Sequence, residues 1–463
     1  MTLIVETPRS CASEREYILG IIFGEFLGLA WRWEPAKRHN VCIKQNGMAG
    51  EILLPDIFFA QPDSAWLTVA SLPSLPRATW DTADLSGDIT LKHPVVPVIY
   101  GATDPVLRRS GTSLELPIDL LGSAFFMLSR YEEAILSDRD NHDRFPATAS
   151  LAYQAGFLDR PIVDEYVEIL WTALQSLWPG LQRQPRQART MVTCDVDSPF
   201  AINGALKGMG RRLAGDLLKR RSLVLAYQNL MAHGRAWRGD YSVDPHRSAI
   251  DWIMDVNERA GRTVAFYFIP DNTDPVLDNR VSLDEPRMRG LLRTIHDRGH
   301  EIGLHPGYHT YKHPEAMAQA VATLRRVLAE ERIEQLQLGG RQHFLRWETP
   351  ITARLWDENG VDYDSTLAFA DRLGFRCGTC HEYPLYDLQM RRPLRLREQP
   401  LILMECTVIS ERYMGLGYSE DALNAMLRYR DICRKFDGMF TLLWHNSHMT
   451  QDKDKLIYLE LIQ

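Results

Sequence analysis

Two aspartates one residue apart close a β-rich run, Thr193-Cys-Asp-Val-Asp197, and alternation across a strand would turn Asp195 and Asp197 to the same side. Two carboxylates at one mouth suit a metal ligand and a proton acceptor, although a D-x-D pair also occurs as a plain loop or helix cap. Five of the 14 histidines, His296, His300, His305, His309 and His313, fall within eighteen residues. Pro306 is well placed to open a helical turn, so His305 and His309 would stand i and i+4 on one face and could share an ion. His296 with His300, and His309 with His313, have the same spacing; position favours His305 and His309, which follow the apolar run ending at Leu304. One aspartate and two histidines leave positions open for water and substrate, as a hydrolytic zinc site requires, and the other aspartate is left free as a base. In Leu442-Leu-Trp-His445, a histidine at a strand end suits the acid that protonates a leaving group.

These residues need a scaffold. From residue 190 onward, short apolar runs alternate with helical ones: strands at Thr190 to Cys194, Thr263 to Ile269, Glu301 to Leu304, Leu401 to Val408 and Met439 to Trp444, and helices at Ile250 to Ala260, Pro286 to Arg298, Pro314 to Glu331 and Ile351 to Asn359. That order predicts parallel β/α architecture, a barrel with its chemistry at the C-terminal strand ends. The polar, basic, proline-containing segment 182–189 reads as a linker, which divides the chain into 1–185 and 186–463. The first part holds short mixed elements and two helical stretches, Ile118 to Leu136 and Ile162 to Leu177. An insertion at about 200–245 carries Lys207, Arg211, Arg212, Lys219, Arg220, Arg221, Arg235 and Arg238 against Asp216 alone between 207 and 238. It reads as a solvated helix face, or as an arm that grips phosphate or makes peripheral membrane contact.

Length and charge exclude several classes. With 463 residues, 45% hydrophobic and 24% charged, the chain suits two or three globular domains. A net charge of −7 argues against nucleic acid as a partner. No run is long enough to span a bilayer, the start lacks a secretory signal, and seven cysteines fit reduced thiols; together these read as cytoplasmic. Cys377-Gly-Thr-Cys380 lacks the second pair of a zinc ribbon and does not open a helix as a redox pair would, so it reads as a rim loop. Trp347, Phe369, Phe375 and Tyr383 are candidates for a sugar subsite, with core packing the reading for most of them.

Taken in order, Thr193-Cys-Asp-Val-Asp197, His300-Glu-Ile-Gly-Leu-His-Pro-Gly-Tyr-His309, Phe344-Leu-Arg-Trp-Glu-Thr-Pro350 and Leu442-Leu-Trp-His445 resemble the motifs of the polysaccharide deacetylases, the NodB-homology carbohydrate esterases, over about residues 190 to 450. The resemblance implies a distorted (β/α)7 barrel, here behind an N-terminal mixed α/β accessory domain. It also implies removal of acetyl groups from N-acetylated sugars with a divalent metal, zinc being the ion expected. By the same resemblance Asp195 is the base, Asp197, His305 and His309 are the metal ligands, Arg346 orients the base and His445 is the acid. The sequence departs from the pattern in three places. A valine separates the aspartates, Pro306 replaces a Ser or Thr, and the usual Arg-Pro-Pro-aromatic run has become Arg346-Trp-Glu-Thr-Pro350, so Arg341 rivals Arg346. Asp364 or Asp371 is the candidate to tune His445. The function expected is hydrolysis of the N-acetyl group of a sugar or glycan precursor. The alternatives are a catalytically degenerate glycan-binding barrel and a non-haem Fe(II) oxygenase, whose facial triad uses the same ligand types.

Overall fold

The structure is a computed structural model that describes residues 2–75, 78–85, 87, 89–202, 210, 223–449 and 451–463. Lys207, Arg211, Arg212, Asp216, Lys219, Arg220 and Arg221 of the basic insertion lie outside the described residues. Of that segment the structure describes the helix Leu223–Ala236, in whose last turn Arg235 pairs with Asp240.

The first part of the chain builds a mixed sheet from β1 (Thr2–Thr7), β2 (Ala30–Pro35), β3 (Asn40–Gln45) and β4 (Glu51–Pro55), and a two-stranded ribbon from β5 (Thr79–Asp81) and β6 (Val95–Pro97). The hairpin β7 (Arg108–Ser110) and β8 (Ser113–Glu115) extends the mixed sheet, giving the order β2-β1-β3-β4-β8-β7. Strand β1 alternates half-buried and buried residues, the pattern of a sheet with one covered face. The helix Ile162–Leu177 packs on β4, and the helix Leu120–Leu128 packs against that helix. The expected helical stretch from Ile118 to Leu136 is shorter than its periodicity suggests, because Arg130 takes a left-handed conformation and the chain continues as a 3-10 turn, Tyr131–Ala134.

The second part builds a nine-stranded sheet. Its strands are β9 (Arg189–Val196), β10 (Val264–Phe268), β11 (Glu301–Leu304), β12 (Gly339–Gly340), β13 (Tyr363–Asp364), β14 (Tyr383–Asp387), β15 (Arg392–Glu398), β16 (Leu403–Met404) and β17 (Met439–Leu443). The order is β14-β15-β13-β12-β11-β10-β9-β17-β16, parallel throughout except for the β14–β15 pair. The α/β class is therefore as the sequence indicates. The pairing is that of an open sheet, with β14 and β16 at its two edges and no bond between them. Strands β10 and β17 are buried at every position, as sheets covered on both faces require. Between strands run the expected helices, Pro245–Arg259, Pro286–Asp297, Pro314–Glu330 and Ile351–Glu358, the first three opening on a proline that has no N–H to leave unpaired. The expected strand Leu401 to Val408 is largely a helix: only Leu403–Met404 pair in the sheet, and Glu405–Ile409 form a short helical turn.

Register places the site. Asp195 lies opposite Tyr267, which lies opposite Gly303. Gly303 and Gly339 leave room for two tyrosine rings: an added Cβ would stand 2.4 Å from Tyr267 and 1.9 Å from Tyr363. The two hydroxyls meet at 3.1 Å, and the Arg341 guanidinium lies over the Tyr267 ring. This layer fills the centre of the sheet below the strand ends.

The two parts share one core cluster running from Leu3 to Ile462. Their junction is polar as well. Glu133 is gripped by Arg376 and Arg130, Tyr17 donates to the Pro384 carbonyl, Glu14 pairs with Arg391, and Asp164 accepts from Thr379 and from the Cys380 N–H. Residues 181–188, where the linker was expected, carry no regular element, and Arg186 lies over the Phe26 ring. The Cys377-to-Cys380 segment is not at the rim of the site. Gly378 lies against Ile162, Val163 and Met127, so both thiols are buried at the junction.

Candidate metal and catalytic site

Strand β9 delivers Asp195 and Asp197 to one side of the sheet, as its alternation requires. Asp195 is buried, and its Oδ1 accepts from Arg341 Nη1 at 2.7 Å. The arginine is itself fixed, donating to Thr193 Oγ1 at 2.9 Å, to the Ser365 carbonyl at 2.7 Å and to Ser365 Oγ at 3.0 Å. Arg341, not Arg346, therefore orients Asp195. Arg346 is drawn elsewhere: its guanidinium is sandwiched 4.0 Å from the Tyr308 and Tyr311 rings and donates to the His142 and Tyr308 carbonyls.

Asp197 is the hub. Its Oδ1 lies 3.2 Å from His305 Nε2 and 3.8 Å from His343 Nε2, and its Oδ2 lies 3.8 Å from His445 Nε2. Burial works to raise its pKa, yet His445, His305 and His343 together hold the carboxyl far below the usual range. Both facing histidines are aimed from behind. His305 Nδ1 donates to the Arg341 carbonyl at 2.6 Å, and His343 Nδ1 meets Asp278 Oδ1 at 2.7 Å. Each keeps Nε2 turned to Asp197, the carbonyl–His and carboxylate–His arrangement by which proteins orient metal ligands. One atom each of Asp197, His305 and His343 lies within 4.8 Å of the others, so the donor set fits a divalent ion.

His309, the expected second histidine ligand, is not brought there. Residues 305–307 do not form a helical turn, so the i, i+4 face does not exist. Gly307 is pressed against the loop 271–278, the Tyr308 N–H bonds Asp278 and the His309 N–H bonds Thr273. The His309 ring is left half exposed on Asp274 at 3.3 Å. His343, just past the two-residue strand β12, is the histidine that stands beside Asp197 and His305 instead. That strand is too short to show a periodicity, so the only available signal was a histidine following Gly339-Gly-Arg-Gln.

His445 follows β17, and its Nδ1 meets Glu405 Oε1 at 2.6 Å; His448 shares the same oxygen at 2.8 Å. Burial disfavours a charged His445, but Glu405 and then Asp197 outweigh it and push the imidazole up to about 10. Glu405 is thus the carboxylate that contacts the ring of His445 from behind, where Asp364 or Asp371 was expected. Asp364 is buried with Thr366 and Glu398, and Asp371 accepts from the Ala147 N–H. Trp347 is buried and donates to Thr349, and Phe369, Phe375 and Tyr383 are core residues.

A cavity of about 490 Å³ opens over this cluster, walled by Leu345, Met404, Ile409, Tyr413 and Tyr418. Arg144, from the first part of the chain, also lines it, donating to the Phe344 carbonyl at 3.0 Å and to the Tyr413 hydroxyl at 3.4 Å. Phe344 and Leu345 both have positive φ, 61° and 55°, a conformation that costs side-chain-bearing residues of order 1–3 kcal/mol each. The Arg144 bond and the contacts of Phe344 with His142 and Tyr308 hold that strained turn, and with it His343.

Residues 3–179 match the model of a family of unknown function, DUF7033. No curated protein matches the chain. A crystal structure described as that of a polysaccharide deacetylase from Mycobacterium smegmatis aligns at 15% identity and a TM-score of 0.39, over 60% of this chain and 84% of its own. The crystal structure of PuuE allantoinase aligns at 14% identity and a TM-score of 0.37, over 62% and 85%. Both scores are too low to carry an activity across.

Proposed function

We propose that the protein is a metal-dependent hydrolase of the deacetylase type, cleaving the N-acetyl group of a sugar or glycan precursor. The observation that supports this most strongly is the convergence of Asp197, His305 and His343, with Nε2 of both histidines turned inward, between the Arg341-held Asp195 and the Glu405-held His445. A divalent ion on the three ligands would polarise the acyl carbonyl and acidify a water beside it. Asp195, locked through Oδ1, presents Oδ2 to take the proton of the attacking water. His445, charged beside Glu405, gives a proton from Nε2 to the departing amine, and His448 backs the same carboxylate. Water and amide are consumed; acetate and amine leave. A base and an acid flanking the triad favour hydrolysis over oxygen activation, whose facial triad needs neither.

The experiment is acetate release from N-acetylated sugar nucleotides, oligosaccharides and glycan precursors by the metal-loaded protein. Release that stops on chelation and returns with added zinc is expected. Binding of a glycan with no release from any substrate would return the protein to the binding-barrel reading.

A further inference from the structure

The first part of the chain reaches the site through the loop 139–144. Asp140 closes that loop on itself: its Oδ1 accepts from the His142 N–H at 2.8 Å and the Arg144 N–H at 3.0 Å, and its Oδ2 pairs with the Arg144 guanidinium at 2.7 Å. The loop so fixed grips two segments of the second part. One, 308–312, follows His305: the Tyr308 hydroxyl meets His142 Nδ1 at 3.1 Å, the Tyr311 hydroxyl donates to Asp143, and Lys312 pairs with Asp143 at 2.9 Å. The other, 344–348, follows His343: the Phe344 carbonyl accepts from Arg144 at 3.0 Å, Arg346 donates to the His142 carbonyl at 2.8 Å, and Glu348 pairs with Arg139 at 3.4 Å. Both histidines beside Asp197 are thus followed, within three residues, by a segment held from the first part. We propose that the loop 139–144 is a clamp that keeps His305 and His343 at metal-binding distance, which makes the first part of the chain a component of the metal centre. The proposal rests on the reading of Asp197, His305 and His343 as the ligands.

Three further observations support it. The turn next to His343 is strained, with φ of 61° at Phe344 and 55° at Leu345, and such a conformation persists only where its surroundings over-determine it. Those surroundings come from the loop and from the segment after His305: Arg144 takes the Phe344 carbonyl, and the His142 and Tyr308 rings lie 4.6 and 5.3 Å from the Phe344 ring. Arg346 bolts the three pieces together. Stacked at 4.0 Å between the Tyr308 and Tyr311 rings, it donates to the Tyr308 carbonyl at 2.7 Å and the Tyr311 hydroxyl at 3.0 Å as well as to His142. That gives this arginine a task away from Asp195. Arg144, buried, also holds the Tyr413 hydroxyl at 3.4 Å, so one side chain shapes both the ligand turn and a wall of the cavity. Asp278 and the Arg341 carbonyl aim the two imidazole rings, and the clamp fixes the backbone that carries them. Outer partners of this kind set metal affinity, typically by about 10- to 100-fold.

The test is zinc affinity of the full chain, measured by competition with a chromogenic chelator. Arg144→Ala should weaken zinc binding about 10- to 100-fold. Tyr17→Phe removes a junction bond that the loop does not make, the one to the Pro384 carbonyl, and should lower the Tm while leaving zinc affinity unchanged. That contrast separates a clamp on the ligands from general loosening of the junction. If Arg144→Ala does not fold, His142→Ala, at a half-buried position, decides alone: it loses both the Phe344 ring contact and the Tyr308 bond, and should weaken zinc about tenfold. Unchanged affinity in these loop variants, with affinity lost in His343→Ala, would overturn the clamp and leave the ligand assignment standing. An equal loss of affinity in Tyr17→Phe would overturn the clamp as well. Full affinity in His343→Ala would overturn the ligand assignment and the clamp together.

Discussion

Asp195 has one oxygen committed to Arg341 and the other turned towards His305 at 3.8 Å, so replacing it by Asn keeps the shape and removes the proton acceptor. Asp195→Asn should retain the metal and lose about 10²- to 10⁴-fold in turnover, read as acetate release; near wild-type release would remove Asp195 from the mechanism. Ligand identity is tested by metal content: His343→Ala should lose the ion and His309→Ala should keep it. The reverse would mean that His309 swings in from Asp274. The contrast also shows what single residues reveal in a sequence. Asp195, Asp197, His305 and His445 were legible because each ends or follows a recognisable apolar run. His343, Glu405 and the choice of Arg341 over Arg346 were not, because their partners lie 65 (Asp278), 40 (His445) and 146 (Asp195) residues away and no local spacing encodes such pairings.

Elements with strong periodicity were readable, and elements shaped by neighbours were not. Strands β10, β11 and β17 and the helices between strands fall within a few residues of their expected ends, whereas the run from Leu401 became two strand residues and a helical turn. That turn has a use: it carries Glu405 under His445. The turn after β11 reads as helical from its proline and histidines, but the pressure of Gly307 on the loop 271–278 overrides that preference. Crowding at a glycine gives the test at this scale. Gly339→Ala would drive a methyl into the Tyr363 ring and should cost about 1–3 kcal/mol or more, lowering the Tm. Gly290→Ala, in the helix Pro286–Asp297 with nothing within 4 Å of the new Cβ, should instead raise stability by about 0.5–1 kcal/mol. Similar losses from both would mean that the tyrosine layer is not what sets the sheet's packing.

Across the whole molecule, the buried Glu133 between Arg376 and Arg130 joins the two parts. Burial opposes its charge, but Arg376 and then Arg130 overcome it and lower the carboxyl to about 2 from 4.5. A folded value below the unfolded one means that the stabilisation is present above pH 4.5 and fades as pH falls towards 2, on the order of 3 kcal/mol in all. Glu133→Gln should therefore cost about 3–5 kcal/mol near neutrality, because it leaves the buried Arg376 without a carboxylate partner and Arg130 with Glu132 alone, and its disadvantage should narrow below pH 4.5. Denaturation midpoints of both proteins across that range check this, and a constant gap would show that the pair is not what titrates. The sheet order carries a further consequence, for synthesis. Strand β9 is central, yet its partner β17 lies about 249 residues later, at the Thr193–Leu442 bond. At about 5–20 residues per second a ribosome needs roughly 12–50 s to cover that distance. For all of that time one edge of the strand that carries both aspartates is unpaired. The nascent chain is thus open to wrong partners until β17 emerges, and His445 follows only two residues behind it, so sheet and acid group are completed almost together.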